Sequence, residues 1–189
     1  MNEEKTFSEY RISEVTLTFK DESTHYVLSC VGSLKVEMES KTATKSCGGQ
    51  VIKKITRGTG CGTATITLHL PYIVYKKMYG MDVSGLVTGV SGYGDASVHK
   101  PFTLTGVGED EDGNEVYLAL PNCLSSSAPS NDYENGTEEI KEKELSIDIM
   151  PDEYKMGKYE ANSGTLVPKI TKEKWLREFK PEMIRTASA

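Results

Sequence analysis

The sequence predicts a mainly β protein, an antiparallel β-sandwich or barrel with one short flanking helix, an extended loop and terminal arms. Three observations carry this. Apolar residues recur with a period of two in several short segments, among them Ala64, Ile66, Leu68 and Leu70, and Leu145, Ile147 and Ile149. Clusters of Gly, Pro, Asn, Asp and Ser separate those segments at intervals suited to turns. The 189 residues suit one domain with arms, and Leu, Ile, Val and Phe contribute only 40 of them. Ten Tyr make up the shortage of core formers; they bury a ring and keep a hydroxyl wet, a habit of interfaces.

The elements run in order along the chain. Residues 10–19 alternate, with Val15, Leu17 and Phe19 on one face and Glu14, Thr16 and Thr18 on the other, and the polar turn 20–23 ends the strand. Residues 25–30 and 34–39 read as a strand pair or one bent strand, with Gly32 at the bend. Residues 40–62 read as a long polar connection whose sizeable apolar groups are only Val51, Ile52 and Ile55, and irregular chain of that length is usually functional. Residues 63–70 form the cleanest strand, its second face carrying Thr63, Thr65, Thr67 and His69. Pro71 opens a short helix over 72–79 that Gly80 stops, its apolar side holding Tyr72, Val74, Tyr75, Met78 and Tyr79. Residues 85–100 are a Gly- and Ser-rich loop. Residues 101–107 and 115–120 make a hairpin around the acidic turn 109–114, since Asp-Gly is a strong turn signal. A polar loop over 124–136 leads to a final strand ending at Met150 and closed by Pro151. Residues 155–189 lack periodicity apart from a helical turn or two over 172–179, which predicts an arm. The resulting division is an N-terminal arm, 1–9, a β domain, 10–154, and a C-terminal arm, 155–189.

Catalytic and ligand-binding constellations are absent from this pattern. Gly58-Thr59-Gly60-Cys61-Gly62-Thr63 resembles a phosphate loop only superficially, because it lacks the Gly-Lys-Ser/Thr ending and runs into a strand. Cys30, Cys47, Cys61 and Cys123 show no CxxC spacing, which argues against a zinc site and for free thiols, although Cys47 and Cys61 lie in Gly-rich turns that could meet. His25, His69 and His99 read as structural or surface residues, and the acidic run 109–112 as a hairpin tip without the spaced ligands of a calcium loop. Asn135-Gly136-Thr137 fits a glycosylation sequon, which means nothing without secretion. The sequence therefore predicts no enzyme, no cofactor and no metal.

The formal charge of -6 hides a division: residues 1–106 carry a net +2, residues 107–153 a net -12 and residues 154–189 a net +4. An acidic middle disfavours nucleic-acid binding and permits self-association between oppositely charged faces. No stretch has the roughly 20 apolar residues of a membrane span, and the first nine residues are unlike a signal peptide, which predicts a soluble chain made in the cytoplasm with no membrane partner.

Two segments carry a resemblance. In 62–80 a strand runs through Leu70-Pro71-Tyr72-Ile73-Val74-Tyr75 into the helix. In 102–150, Phe102-Thr103-Leu104-Thr105-Gly106 precedes the acidic turn, Val116-Tyr117-Leu118-Ala119-Leu120-Pro121 comes after it, and a charged strand over 141–149 lies beyond a loop. In element order and patterning, residues 10–155 resemble the major tail (tail tube) proteins of long-tailed bacteriophages of Gram-positive hosts. The resemblance implies a virion protein made in the host cytoplasm. It implies self-assembly into stacked hexameric rings around a channel through which viral DNA leaves without specific binding. It also implies partners in the tail terminator, tape measure and distal tail proteins. Tubes of contractile tails and phage-tail-like bacteriocins share the architecture and stay open as alternatives, as does a monomeric β-sandwich binding module of the virion surface.

Two sets of residues are singled out by this resemblance. The strand phase places Glu37, Glu39, Thr63, Thr65, Thr67, Glu142, Glu144 and Asp148 opposite the core, where they would face the lumen; Lys35, Lys141 and Lys143 have no fixed direction. The loop 40–62 occupies the place of the family's inter-ring loop, and its bases Lys41, Lys45, Lys53, Lys54 and Arg57 would meet acids of the next ring. Strands 34–39 and 63–70 would pair with neighbouring copies.

Overall fold

A computed structural model of the chain describes residues 8–136 and 140–186. Among them the chain forms eight strands: β1 (Arg11–Phe19), β2 (His25–Leu28), β3 (Val31–Cys47), β4 (Gln50–Leu68), β5 (Phe102–Glu109), β6 (Glu115–Ser125), β7 (Lys143–Ile149) and β8 (Tyr159–Asn162). Helix α1 (Tyr72–Met78) lies between β4 and β5, and α2 (Lys172–Glu178) and a 3₁₀ turn (Pro181–Ile184) come after β8. Every pairing is antiparallel, in the order β2-β1-β5-β6-β7-β4-β3, with β8 on β6.

That order closes on itself. β2 and β3 stand at opposite ends of the path, yet only Ser29 and Cys30 separate them. Three residue steps reach at most about 11 Å, whereas six interstrand gaps of a flat sheet span about 29 Å. The sheet therefore rolls into an open barrel. Cys30 makes the corner with φ 60°, and its carbonyl accepts from the His69 N–H at 3.2 Å. The residues expected to form a strand pair or one bent strand, 25–30 and 34–39, thus border one seam without pairing with each other.

The alternating apolar residues fill its interior as expected: Val15, Leu17 and Phe19 from β1, Ala64, Ile66 and Leu68 from β4, Leu145, Ile147 and Ile149 from β7, with Phe102, Leu104 and Leu120. Helix α1 adds Val74, Tyr75 and Met78 to this core, and Gly80 ends it at φ 59°. Tyr72, expected inside, is 62% exposed. Lys77, expected outside, is drawn in: its ammonium donates to both Glu22 carboxylate oxygens at 2.6–2.7 Å and to the Tyr26 hydroxyl at 2.8 Å. This clamp fastens α1 to the β1–β2 turn.

A second core lies outside the roll. Trp175, Leu176 and Phe179 of the C-terminal segment cover Val107, Tyr117 and Ala119. The Trp175 indole donates to the Leu118 carbonyl at 3.0 Å, and the Thr105 hydroxyl to the Leu176 carbonyl at 2.7 Å. Thr16, on the face expected to be wet, is buried there. The arm expected over 155–189 instead contributes β8 and α2 to the domain through residue 184. Of the arm expected over 1–9, residues 1–7 lie outside the described residues, as do Thr137 of the sequon and the expected strand's first residues, 138–139.

The segment 40–62 departs furthest from expectation. It is a regular hairpin in which β3 and β4 pair from Val31↔Leu68 to Cys47↔Gln50. A two-residue turn closes it, with Gly48 and Gly49 both at positive φ (59° and 80°), the requirement of the primed hairpin turns. Both of its faces are polar, so no period of two marks it. The strand 63–68 is also corrected in role: β3 flanks it on one side and β7 on the other, leaving it no edge for a neighbouring copy. Proline at Ile66 would break the barrel itself, since Ile66 is 1% exposed in the core.

Both the exterior core and the clamp have measurable consequences for stability. Trp175→Ala should lower unfolding free energy by about 3–5 kcal/mol, seen by circular dichroism in denaturant as a lower midpoint; an unchanged midpoint would remove α2 from the domain. The Lys77 hydrogen bond holds the Glu22 carboxyl below its usual range, and Glu22 raises Lys77. The Glu22 contribution is present above its unfolded value of about 4.3 and is lost as pH falls through the lower folded value. The Lys77 contribution is complete below about 10.4 and is lost as pH rises through the higher folded one. Glu22→Gln should therefore flatten the acid limb of the stability profile while leaving the chain folded at neutral pH.

Candidate functional site

Three rows cross β3, β4 and β7 on the side away from the core: Glu37–Thr63–Asp148, Lys35–Thr65–Ser146 and Ser33–Thr67–Glu144. Cross-strand partners share a face, so six of the eight residues read from sequence as facing away from the core sit together. Glu37, Thr63, Glu144 and Asp148 are exposed, and the Ser33 and Thr67 hydroxyls meet at 2.8 Å. Glu142 precedes β7, its carboxylate lying where a side chain on Gly32 would stand. Glu39 falls beyond the rows at a break in register between Met38 and Ser40. The lysines of undetermined direction divide. Lys35 joins this face and pairs with Glu37 at 3.1 Å, a largely solvated contact of small energy. Lys141 pairs with Asp132 and Glu134, and the Lys143 ammonium lies 4.4 Å from the Tyr75 ring centroid.

Beyond the break, β3 and β4 continue as a two-stranded ribbon whose residues 40–58 are all exposed. Lys41 pairs with Arg57, Ala43 with Ile55, and Lys45 with Lys53. Four of the five bases thus stand on one face, with like charges directly opposed, a destabilising arrangement; Lys54 is on the other face, opposite Thr44. Among the described residues none of the five has an ion-pair partner. Val51 and Ile52 near the tip are 62% and 58% exposed. Composition revealed these bases but not the ribbon; the signal that could have found it is Gly48-Gly49 between two polar, Lys-bearing segments of similar length.

The roll leaves a seam. β2 pairs with β1 only from Val15 to Thr18, and among the described residues no strand pairs with β3 on the side away from β4. A cleft of about 470 Å³ lies between these edges, floored by Ile12, Leu34, Val36 and Leu118 and bordered by Tyr10 and Lys158.

The described residues hold no group of three or more His, Cys, Asp or Glu side chains arranged for a metal. Asp110 of the acidic turn is buried and accepts from the N–H groups of Asp112 and Asn114, at 3.0 and 2.7 Å, which gives it a structural task. Cys47, at the ribbon tip, and Cys61, at its base, are roughly 30 Å apart by strand rise, so the disulfide their turns allowed does not form. Burial pushes the Cys123 thiol up to about 12.

No protein-family model matches the chain, and no curated protein matches it. Among solved structures, the cap that terminates the tube of the anti-feeding prophage is similar over 86% of this chain and 99% of its own, at 11% identity and a TM-score of 0.45. A chain from the sixfold-symmetrised baseplate of the anti-feeding prophage is similar over 84% of this chain and 97% of its own, at 10% identity and a TM-score of 0.46.

Proposed function

We propose that the chain is a structural subunit that polymerises into a phage-type tail tube, with the β3–β4 ribbon as the arm that joins successive rings. The observation that carries this reading is the ribbon: opposed like charges and exposed Val51 and Ile52 make a segment that is incomplete without a partner bearing carboxylates. The same chain supplies that chemistry in its acidic stretch, 107–153. The bare edges of β1 and β3 offer main-chain groups for lateral contacts within a ring. Hexameric stoichiometry and contacts with tail terminator, tape measure and distal tail proteins come from the sequence resemblance and belong to this proposal.

In the tube, the face bearing Glu37, Thr63, Thr65, Thr67, Glu144 and Asp148, with Glu39 and Glu142 at its margins, lines the lumen. Duplex DNA carries about one negative charge per 1.7 Å, so an acidic, hydroxylated wall repels it and lets it slide.

Negative-stain microscopy of the purified chain tests the assembly directly: tubes or rings support it, and single small particles at high concentration overturn it in favour of a monomeric module. Deletion of residues 44–54 should leave a folded monomer that forms no tubes. Lys45→Glu with Lys53→Glu should raise the concentration needed for assembly at least tenfold, about 1.4 kcal/mol. Assembly of the unaltered chain should weaken with salt as the Debye length shrinks toward about 3 Å at 1 M. Replacing Glu142 and Glu144 together by Lys should leave tubes intact and slow DNA ejection, most at low salt; a map placing these side chains on the outer wall would refute the lumen assignment.

A further inference from the structure

The ribbon leaves the body at a junction built from close main-chain contact. Between the pairs Met38↔Gly62 and Ser40↔Gly58, two steps along β3 oppose four along β4. The excess is taken up by 59–61, with Gly60 at φ 79°. Thr59 pins the bulge, its hydroxyl donating to the Glu39 carbonyl at 3.3 Å and accepting from the Cys61 N–H at 3.1 Å. Bulges of this kind bend a strand and redirect the chain beyond them.

A second turn, 152–158, rests on this bulge. Asp152 knots it: one carboxylate oxygen accepts from the N–H groups of Tyr154 and Met156 at 2.9 and 3.0 Å, and the other accepts from the Tyr159 hydroxyl at 2.6 Å. Tyr159 is itself fixed in β8, opposite Ala119. The turn meets the bulge glycine to glycine. A methyl group on Gly157 would collide with the Gly60 carbonyl and stand 3.0 Å from the Met38 methyl. One on Gly60 would stand 2.7 Å from the Lys155 carbonyl and 3.1 Å from Pro151 Cβ. Gly157 is buried and has no positive φ, so packing rather than its own backbone conformation demands glycine there.

We infer that the 152–158 turn, through the Gly60–Gly157 contact, positions the ribbon by fixing the angle at which it leaves the barrel. This rests on the reading of the ribbon as an arm and adds the element that aims it. The eight residue steps from Gly58 to Gln50 make a lever of about 26 Å, some five strand spacings long. A displacement of about 1 Å at the junction therefore becomes on the order of 5 Å at the tip.

The test is a distance between spin labels on Cys47 at the tip and on Asp112→Cys at the exposed β5–β6 turn. It uses the full chain with Cys30→Ser and Cys61→Ser, diluted with unlabelled chain; Cys123 is buried and does not label. Gly157→Ala should shift the distance by several ångströms while amide protection in β1, β5 and β7 stays as in the parent. Asp152→Asn keeps the heavy-atom count, replaces one accepting oxygen by an NH2 donor and so loosens the knot, and should broaden the distribution around the parent mean. Parent-like distributions in both folded variants would overturn the inference, whatever happens to assembly. A shifted tip with tubes of normal abundance and shape would uphold it and instead defeat the ribbon's role as an arm. A shifted tip with lost or reshaped tubes supports both.

Discussion

The two-residue link between β2 and β3 is the constraint on which the rest of the structure depends. Because Ser29 and Cys30 span so little, the ends of a seven-strand path must approach one another, and only a rolled sheet allows it. Rolling gives the apolar faces of β1, β4, β5 and β7 a common interior, which is how a chain poor in Leu, Ile, Val and Phe still builds a dry core. It also creates the seam. The link brings β2 and β3 to the same seam without a ladder between them, so among the described residues the roll stays open along the β3 edge away from β4.

Stability is then divided between two cores with different origins. The interior core is closed by α1, which the Lys77–Glu22–Tyr26 clamp draws against the β1–β2 turn. The exterior core is laid on β5 and β6 by the C-terminal segment, and its polar crossings, Thr105 to Leu176 and Trp175 to Leu118, satisfy groups that burial would otherwise penalise. β5 and β6 are thus covered on both faces. The opposite side, where β3, β4 and β7 carry Thr, Glu and Asp outward, keeps one face uncovered.

Much of this was legible in the sequence. Wherever one strand face is buried and the other wet, as in Leu145, Ile147 and Ile149 against Glu144 and Asp148, the period of two fixed the strand and its phase together. Pro71 and Gly80 marked α1, and Asp112-Gly113 marked the β5–β6 turn, because each local conformation demands those residues. The failures share a cause. The ribbon over 40–58 buries neither face, so periodicity had nothing to report, and its Gly48-Gly49 turn carried the whole signal. The C-terminal segment lacked alternation because α2 and the residue after it offer Trp175, Leu176 and Phe179 to an existing sheet rather than forming a layer of their own. That β2 pairs with β1 and β3 with β4, and not with each other, was set by how the whole sheet closes, which no local pattern encodes. For the candidate site, strand phase grouped Glu37, Thr63, Thr65, Thr67, Glu144 and Asp148; Glu39 escaped the group because a bulge resets the register beyond Met38.

The charge arrangement along β3 and β4 gives the molecule a direction. Near the barrel the pair carries Glu37 and Glu39, with Asp148 and Glu144 beside it; beyond Gly58 it carries Lys41, Lys45, Lys53, Lys54 and Arg57 and no acid. Each opposed Lys–Arg or Lys–Lys pair costs the ribbon a few tenths to about 1 kcal/mol, a penalty that chain folding alone does not recover. The arrangement does achieve discrimination. Two ribbon tips repel each other, and so do two acidic faces, which disfavours tip-to-tip and face-to-face contacts and guards a long exposed edge against ribbon-to-ribbon pairing. A tip and an acidic face attract. Where such unlike patches meet head to tail the contact is heterologous, and heterologous contacts repeat, closing into rings where the rotation allows and otherwise extending along an axis. The charge order of this one hairpin thus separates a basic tip from an acidic face, with Gly60 and Gly157 in close contact at the ribbon's base.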